Sequence, residues 1–196
     1  RTYSQLLQMV VFVVTPILLF LGIVATPFFR WLLTEKWLPA VPYFQLLVIS
    51  GVFYPIHKYN LNICNLKGRS DMVLKLSTLQ NSLLIVGAFS AIWFGIYGLL
   101  FSMIFVNLVI TGVNSYFSGR LIGYGIKNQI QDLFPILSLN VILVALFYYL
   151  ELNYFSKLPD IYNLVIVAIL FFSIYVGSAV LLKMNVVNNI KGYIKK

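Results

Sequence analysis

The chain has 196 residues, of which 61% are hydrophobic and only 10% charged. Too little polar surface is available to cover a soluble globule of that length, so a water-soluble enzyme or binding domain is excluded and an integral membrane protein is indicated. The net charge of +9 raises the question of a nucleic-acid partner, which the distribution of the charges answers below.

The apolar runs reach the roughly 20 residues that a helix needs to cross a hydrocarbon core of roughly 30 Å. They are too continuous for the alternation of a transmembrane barrel, so the expected fold is an all-α, polytopic bundle of six transmembrane helices. The first span covers about 6–33, with Pro16 and Pro27 as bend sites. The second, 41–66, is entered through Pro39 and Pro42 and closed by Gly68 as a left-handed C-cap. The third, 72–94, follows Ser70 or Asp71 as N-cap. A tight turn at Gly95 to Gly98 leads to the fourth, 99–122, which Gly123 and Gly125 end. The fifth spans 130–150 and contains Pro135; the sixth, 161–182, is capped by Asp160. The chain reads as a single six-helix domain, and its abrupt start RTYSQLL, already close to a span, reads as part of a longer protein.

If the spans alternate, Arg1, Lys67, Arg69, Lys75, Arg120, Lys127, Lys183, Lys191, Lys195 and Lys196 share one side. Arg30, Lys36 and Lys157 fall on the other, and Lys58 lies within a span. That asymmetry over short loops is the positive-inside pattern, and it places both termini in the cytoplasm. The basic charge is therefore an orientation signal with some attraction to anionic membrane lipid, and no nucleic-acid partner is expected.

The second span contains YPIHKYNLNICN, residues 54–65. On a helix Lys58, Asn62 and Asn65 align at i, i+4 and i+7, with His57, Asn60 and Cys64 on the neighbouring stripe. Pro55 removes one backbone hydrogen bond and kinks the helix there. An ionisable residue at this depth costs a few kcal/mol unless it meets water or a partner, so Lys58 and His57 are candidate cavity residues. The bland reading has Lys58 snorkelling to headgroups and His57 bonded to a neighbouring helix. The fourth span carries a second stripe, Asn107, Thr111, Asn114 and Ser118, which either lines water or bonds an adjacent helix. Gly87, Ala91 and Gly95 form a small-xxx-small ridge on the third span, read mainly as static packing.

Catalysis finds little support. The five acidic residues, Glu35, Asp71, Asp132, Glu151 and Asp160, all fall at span ends or in loops, and no paired carboxylates share an intramembrane face. Proton coupling through a buried acid is equally unsupported. No hydrolase, zinc-protease or phosphate-loop motif occurs, and the single cysteine, Cys64, forms neither an internal disulfide nor a metal cluster. No cofactor or metal is expected.

The segment TPILLFLGIVATPFFRWLLTEKWLPAVPYFQLLVISGVFYPIHKYNLNICNLKGRSDMVLK resembles the second half of the polysaccharide-biosynthesis (O-antigen) flippases of the multidrug and oligosaccharidyl-lipid exporter superfamily. The similar pieces are a Pro-containing span with an apolar-basic end, Lys36-Trp37 followed by Ala40 in the turn, a next span ending in Gly68-Arg69, and a later span closing on FGIYGLLFS. They cover about residues 5–150, and their order and spacing carry the likeness. The resemblance implies the C-terminal lobe of a two-lobed, MATE-like transporter in the bacterial inner membrane, partnered by its own N-terminal lobe. It implies a lipid-linked oligosaccharide substrate carried on undecaprenyl diphosphate, with Lys58 as a cavity cation and Arg30 or Arg69 as weaker candidates. Asn60, Asn62, Asn107 and Asn114 would then offer hydrogen bonds to sugar hydroxyls. A multidrug exporter of the same superfamily, a structural membrane subunit and a membrane-embedded polysaccharide enzyme are the alternatives.

Overall fold

The computed structural model describes residues 2–187 and 189; Arg1, Lys191, Lys195 and Lys196 of the charge count lie outside them. All regular structure among the described residues is helical: α1 (Thr2–Ile23), α2 (Ala25–Leu33), a 3-10 turn (Glu35–Ala40), α3 (Val41–Leu66), α4 (Ser70–Ala88), α5 (Ser90–Ile122), α6 (Ile126–Asn153), a second 3-10 turn (Phe155–Lys157) and α7 (Asp160–Leu181). Five segments are long and apolar enough to cross a membrane: Thr2–Ile23, Glu35–Leu66, Ser90–Ile122, Ile126–Lys157 and Asp160–Leu181. The chain is a helical membrane protein.

Several boundaries differ from the sequence expectation for identifiable reasons. The first span divides at Val24, whose φ −89°, ψ 17° leave the helical region. Pro27 can donate no bond to the carbonyl of Ile23, so the helix bends where that carbonyl is released. The 72–94 segment is the one expected span that is not among the five. Its first half carries Lys75, Ser77, Thr78, Gln80 and Asn81, and α4 stops at Ala88. Neither Ser70 nor Asp71 caps α4, and Asp160 does not cap α7; the capping positions are Arg69 and Pro159, with no side-chain cap bond at either. Gly68 and Gly123 take left-handed φ values of 69° and 68° and end α3 and α5, as a C-cap glycine does.

The chain packs as two compact units, each described by itself: residues up to Val48 together with those from Leu133, and Ile49–Asp132. In the first, α1, α6 and α7 share an aromatic core. Phe171 lies 5.2 Å from Phe147 and 5.9 Å from Phe20, and Phe12 lies 4.9 Å from Tyr175. Edge-on and tilted rings add about 0.5–1.5 kcal/mol per pair beyond area burial. The Tyr175 hydroxyl donates to the carbonyl of Phe12 at 2.9 Å, which satisfies the one polar atom of a ring that is 2% exposed. At one end of this unit Arg30 Nη1 reaches Asp160 Oδ1 at 3.0 Å, holding α2 to the start of α7.

In the second unit, α4 and α5 form an antiparallel pair. A Cβ on Gly87 would lie 2.7 Å from Ser102 Oγ, and Val113, Phe117 and Leu121 pack against the buried cluster that includes Leu76. Those pairs are nearly equidistant from Gly95, which takes φ 60°, ψ −151° inside α5. That conformation is essentially restricted to glycine, so the chain reverses there, at the start of the expected turn. Alpha-5 therefore continues as a helix from residue 96 only after the reversal. The helix break at Phe89 and the turn at Gly95 take Gly87, Ala91 and Gly95 off a single helical face: Gly87 receives Ser102, whereas Gly95 is the turn itself.

Candidate functional site

The two polar stripes of the second unit meet each other. Asn107 Nδ2 donates to Ser50 Oγ at 2.7 Å and Asn114 Nδ2 to the carbonyl of His57 at 3.3 Å. One turn further along, Asn60 sits fully buried between α3, α5 and the start of α6. Its Nδ2 donates to Gln129 Oε1 at 3.0 Å, to Ser115 Oγ at 3.2 Å and back to the Ile56 carbonyl at 2.9 Å. Its Oδ1 accepts from Gln129 Nε2 at 2.9 Å and from the Ser118 hydroxyl. Residue numbers rise together on both helices in these contacts, so α3 runs parallel to α5. Thr111 turns its hydroxyl back to the Asn107 carbonyl at 2.7 Å, a local bond that leaves no donor for a ligand.

The expected site residues thus separate into two sets. His57, Asn60, Asn114 and Ser118 are buried, and Asn107 and Thr111 are half-buried and bonded within the unit. Lys58 and Asn62 do not share a face with Asn107 and Asn114: the latter two bond to α3, whereas Asn62 is exposed and Lys58 half-exposed. The reason is the helical period itself: Asn60 and His57 lie on the stripe that α5 covers, whereas Lys58, Asn62 and Asn65 lie on the next stripe, which α5 does not cover. Asn62 and Asn65 are exposed and Lys58 is half-exposed, its ammonium 5.6 Å from the centre of the Tyr54 ring. A cation at that distance from a ring is favoured by about 0.5–1 kcal/mol. Pro55 precedes both sets on α3 and is half-buried, and Pro16 is buried within α1.

His57 is 0% exposed, and neither ring nitrogen has a hydrogen-bond partner among the described residues; its ring packs edge-on against Tyr54 at 5.2 Å. Asn114 Oδ1 close by is likewise unpartnered. The sequence reading missed Ser115 and Gln129, which complete the buried knot around Asn60. Gln129 lies one residue before the expected fifth span, and the only signal for it was its polar amide at the start of an apolar run.

The arginines have their own partners. Arg30 is held by Asp160 in the first unit. Arg69 forms a fork to Asp71, Nε to Oδ1 at 3.0 Å and Nη2 to Oδ2 at 3.1 Å, with both side chains half-exposed. That hydrogen-bonded fork holds the Asp71 carboxyl below its ordinary value and raises the Arg69 guanidinium. A carboxylate so lowered contributes stability above its unfolded-state value, and the contribution is lost as pH falls through the folded-state value. Arg69→Ala is expected to return the Asp71 titration to the ordinary carboxylate range, read by NMR on a labelled aspartate. Stability at neutral pH should scarcely change, as for exposed pairs generally; an unmoved Asp71 titration would show that the fork does not persist in solution.

Glu151 stands two residues before the end of α6, at a span end as expected, and it is 7% exposed. Its Oε1 accepts from Asn163 Nδ2 at 2.8 Å. No family model, curated protein or solved structure matches this chain.

Proposed function

We propose that this chain is one lobe of a bacterial inner-membrane transporter that moves a lipid-linked oligosaccharide between leaflets by alternating access. The observation that carries the reading is the uncovered stripe Lys58, Asn62 and Asn65 on a helix long and apolar enough to span. A cation and two carboxamides facing acyl chains would cost a few kcal/mol, so in the membrane this face requires water, a substrate or a second lobe. The resemblance to the O-antigen flippases supplies the substrate class: a diphosphate for the Lys58 point charge and hydroxyls for the carboxamides. The sugar headgroup would pass between two lobes that rock about their interface, while the lipid tail stays in hydrocarbon.

The same reading takes the number of crossings as six. Its support is directional: α3 and residues 96–122 run parallel, and residues 70–94 return between them, so a membrane crossed by both is crossed by the returning segment too. The positive-inside asymmetry then keeps the termini cytoplasmic. A purely structural membrane subunit is the second reading, favoured by the α3–α5 polar contacts, which are matched helix to helix.

Complementation of a strain lacking its O-unit flippase, with the full-length protein, separates the two. Lys58→Ala should reduce export about ten- to a hundredfold, which is what losing one charge-assisted contact of about 1.5–3 kcal/mol implies, and Lys58→Arg should recover most of it. Normal export by Lys58→Ala would remove the assigned role. A structural subunit would instead export nothing even as wild type.

A further inference from the structure

At one end of the first unit, where α6 meets α7, lie buried polar groups that the transport reading leaves unused. Glu151 is 7% and Asn163 1% exposed. Asn163 Nδ2 donates to Glu151 Oε1 at 2.8 Å and to the carbonyl of Phe155 at 3.0 Å. Both recipients are acceptors, so the orientation of the carboxamide is fixed: the nitrogen must face them. Two oxygens are then left over, Glu151 Oε2 and Asn163 Oδ1, each buried and without a hydrogen-bond partner among the described residues. Two buried acceptors with no donor are an unstable arrangement, and a bare carboxylate makes it worse, because ionised groups are tolerated in such surroundings only when paired.

One particle resolves both deficits. We propose that Glu151 and Asn163 form a proton-binding site, in which Glu151 carries a proton on Oε2 at neutral pH and donates it to Asn163 Oδ1. With Asn163 Nδ2 already on Oε1, that bond closes a two-hydrogen-bond ring between carboxylic acid and carboxamide. Binding adds one proton and removes one buried negative charge. Because the same carboxamide nitrogen holds the Phe155 carbonyl, the proton also stabilises the turn of residues 154–159 that connects α6 to α7.

The charged surroundings agree. On α7 the charged group is Asp160, held at 3.0 Å by Nη1 of Arg30 on α2; Nε of that guanidinium is buried and makes no hydrogen bond among the described residues, to Glu151 or to any other group. Lys157 on the short 3-10 turn is exposed, and the phenols of Tyr154 and Tyr162 on the flanking elements are exposed as well. Neither of the two ion pairs among the described residues involves Glu151. The site stands independently of the transport reading, since it draws on no residue assigned to the substrate path.

Infrared spectroscopy of the full-length protein in lipid nanodiscs tests it. The chain has two glutamates, Glu35, which is exposed, and Glu151. Labelling with 13C-glutamate should shift a carboxylic-acid C=O band present at neutral pH, and Glu151→Gln should abolish that band. The glutamine restores the ring with its own N–H donor, so its melting temperature should equal or exceed that of wild type and lose the decline that wild type shows as pH rises from neutral. Absence of a labelled acid band at neutral pH overturns the proposal, using wild type alone. So does an unchanged pH slope in Glu151→Gln. Stabilisation by sodium chloride over choline chloride without an acid band would assign the two oxygens to a metal cation and overturn it equally.

Discussion

Asn60→Leu is expected to lower the unfolding free energy by about 2–3 kcal/mol, the larger of two effects centred on the Ile49–Asp132 unit. The side chain serves both as donor and as acceptor, and everything it touches is buried. Leucine matches it in size, so packing changes little and the hydrogen bonds dominate. Gln129 Nε2 keeps the Tyr124 carbonyl at 3.3 Å and Ser118 can fall back on the Ser115 carbonyl at 3.4 Å. Gln129 Oε1 loses the Asn60 donor, and a buried orphan of that kind costs about 1–3 kcal/mol. Individual side-chain bonds between membrane helices average only about 0.6 kcal/mol, which sets the lower end of the range when several are lost together. Gln129→Leu should cost a similar amount, and the double variant should cost clearly less than the sum, since each single change leaves the other carboxamide unpaired. Reversible unfolding in mixed micelles measures all three. Additive losses would mean that the two carboxamides are solvated separately and that the knot does not exist in the membrane protein.

How the sequence relates to this knot is instructive. Helical spacing alone places Asn107, Asn114 and Ser118 on one stripe and His57, Asn60 and Cys64 on another, and both stripes lie inward. Periodicity states which residues share a face; it contains nothing about which face opposes it. That is why the sequence leaves open whether Lys58 and Asn62 share a face with Asn107 and Asn114, although α5 covers the adjacent stripe. Gln129, and the burial of Glu151, were missed for a related reason. Both stand at the edges of apolar runs, where the sequence reads as solvent-facing and where the longer observed helix, Ile126–Asn153, carries them inside. The reversal at Gly95 was legible because a helix pair needs a turn and FGIYG offers the residue for it. The bend at Val24 follows from Pro27 but needed the structure to place it.

The second large effect concerns a glycine that periodicity does not mark at all. Gly119 lies in the last turn of α5, and the chain folds back over it: Tyr124 N donates to the Gly119 carbonyl at 3.2 Å. A Cβ at Gly119 would stand 2.8 Å from Gly125 Cα and 2.9 Å from the Tyr124 carbonyl oxygen. Both are backbone atoms, so no side-chain rotation relieves the clash and the turn itself must move. That turn carries Gly125, whose carbonyl accepts from Gln129 N at 3.1 Å, and through it the carboxamide that meets Asn60. Gly119→Ala is therefore expected to cost about 1–3 kcal/mol, the usual range for overpacking, and to weaken the Asn60–Gln129 contact from a distance. Combined with Gln129→Leu it should cost less than the two separately. Gly112 provides the control on the same helix. A Cβ there meets nothing within 4 Å, so Gly112→Ala should stabilise by up to about 1 kcal/mol through helix propensity. Equal responses at the two glycines, measured by the same unfolding assay, would refute the close approach of the turn to α5.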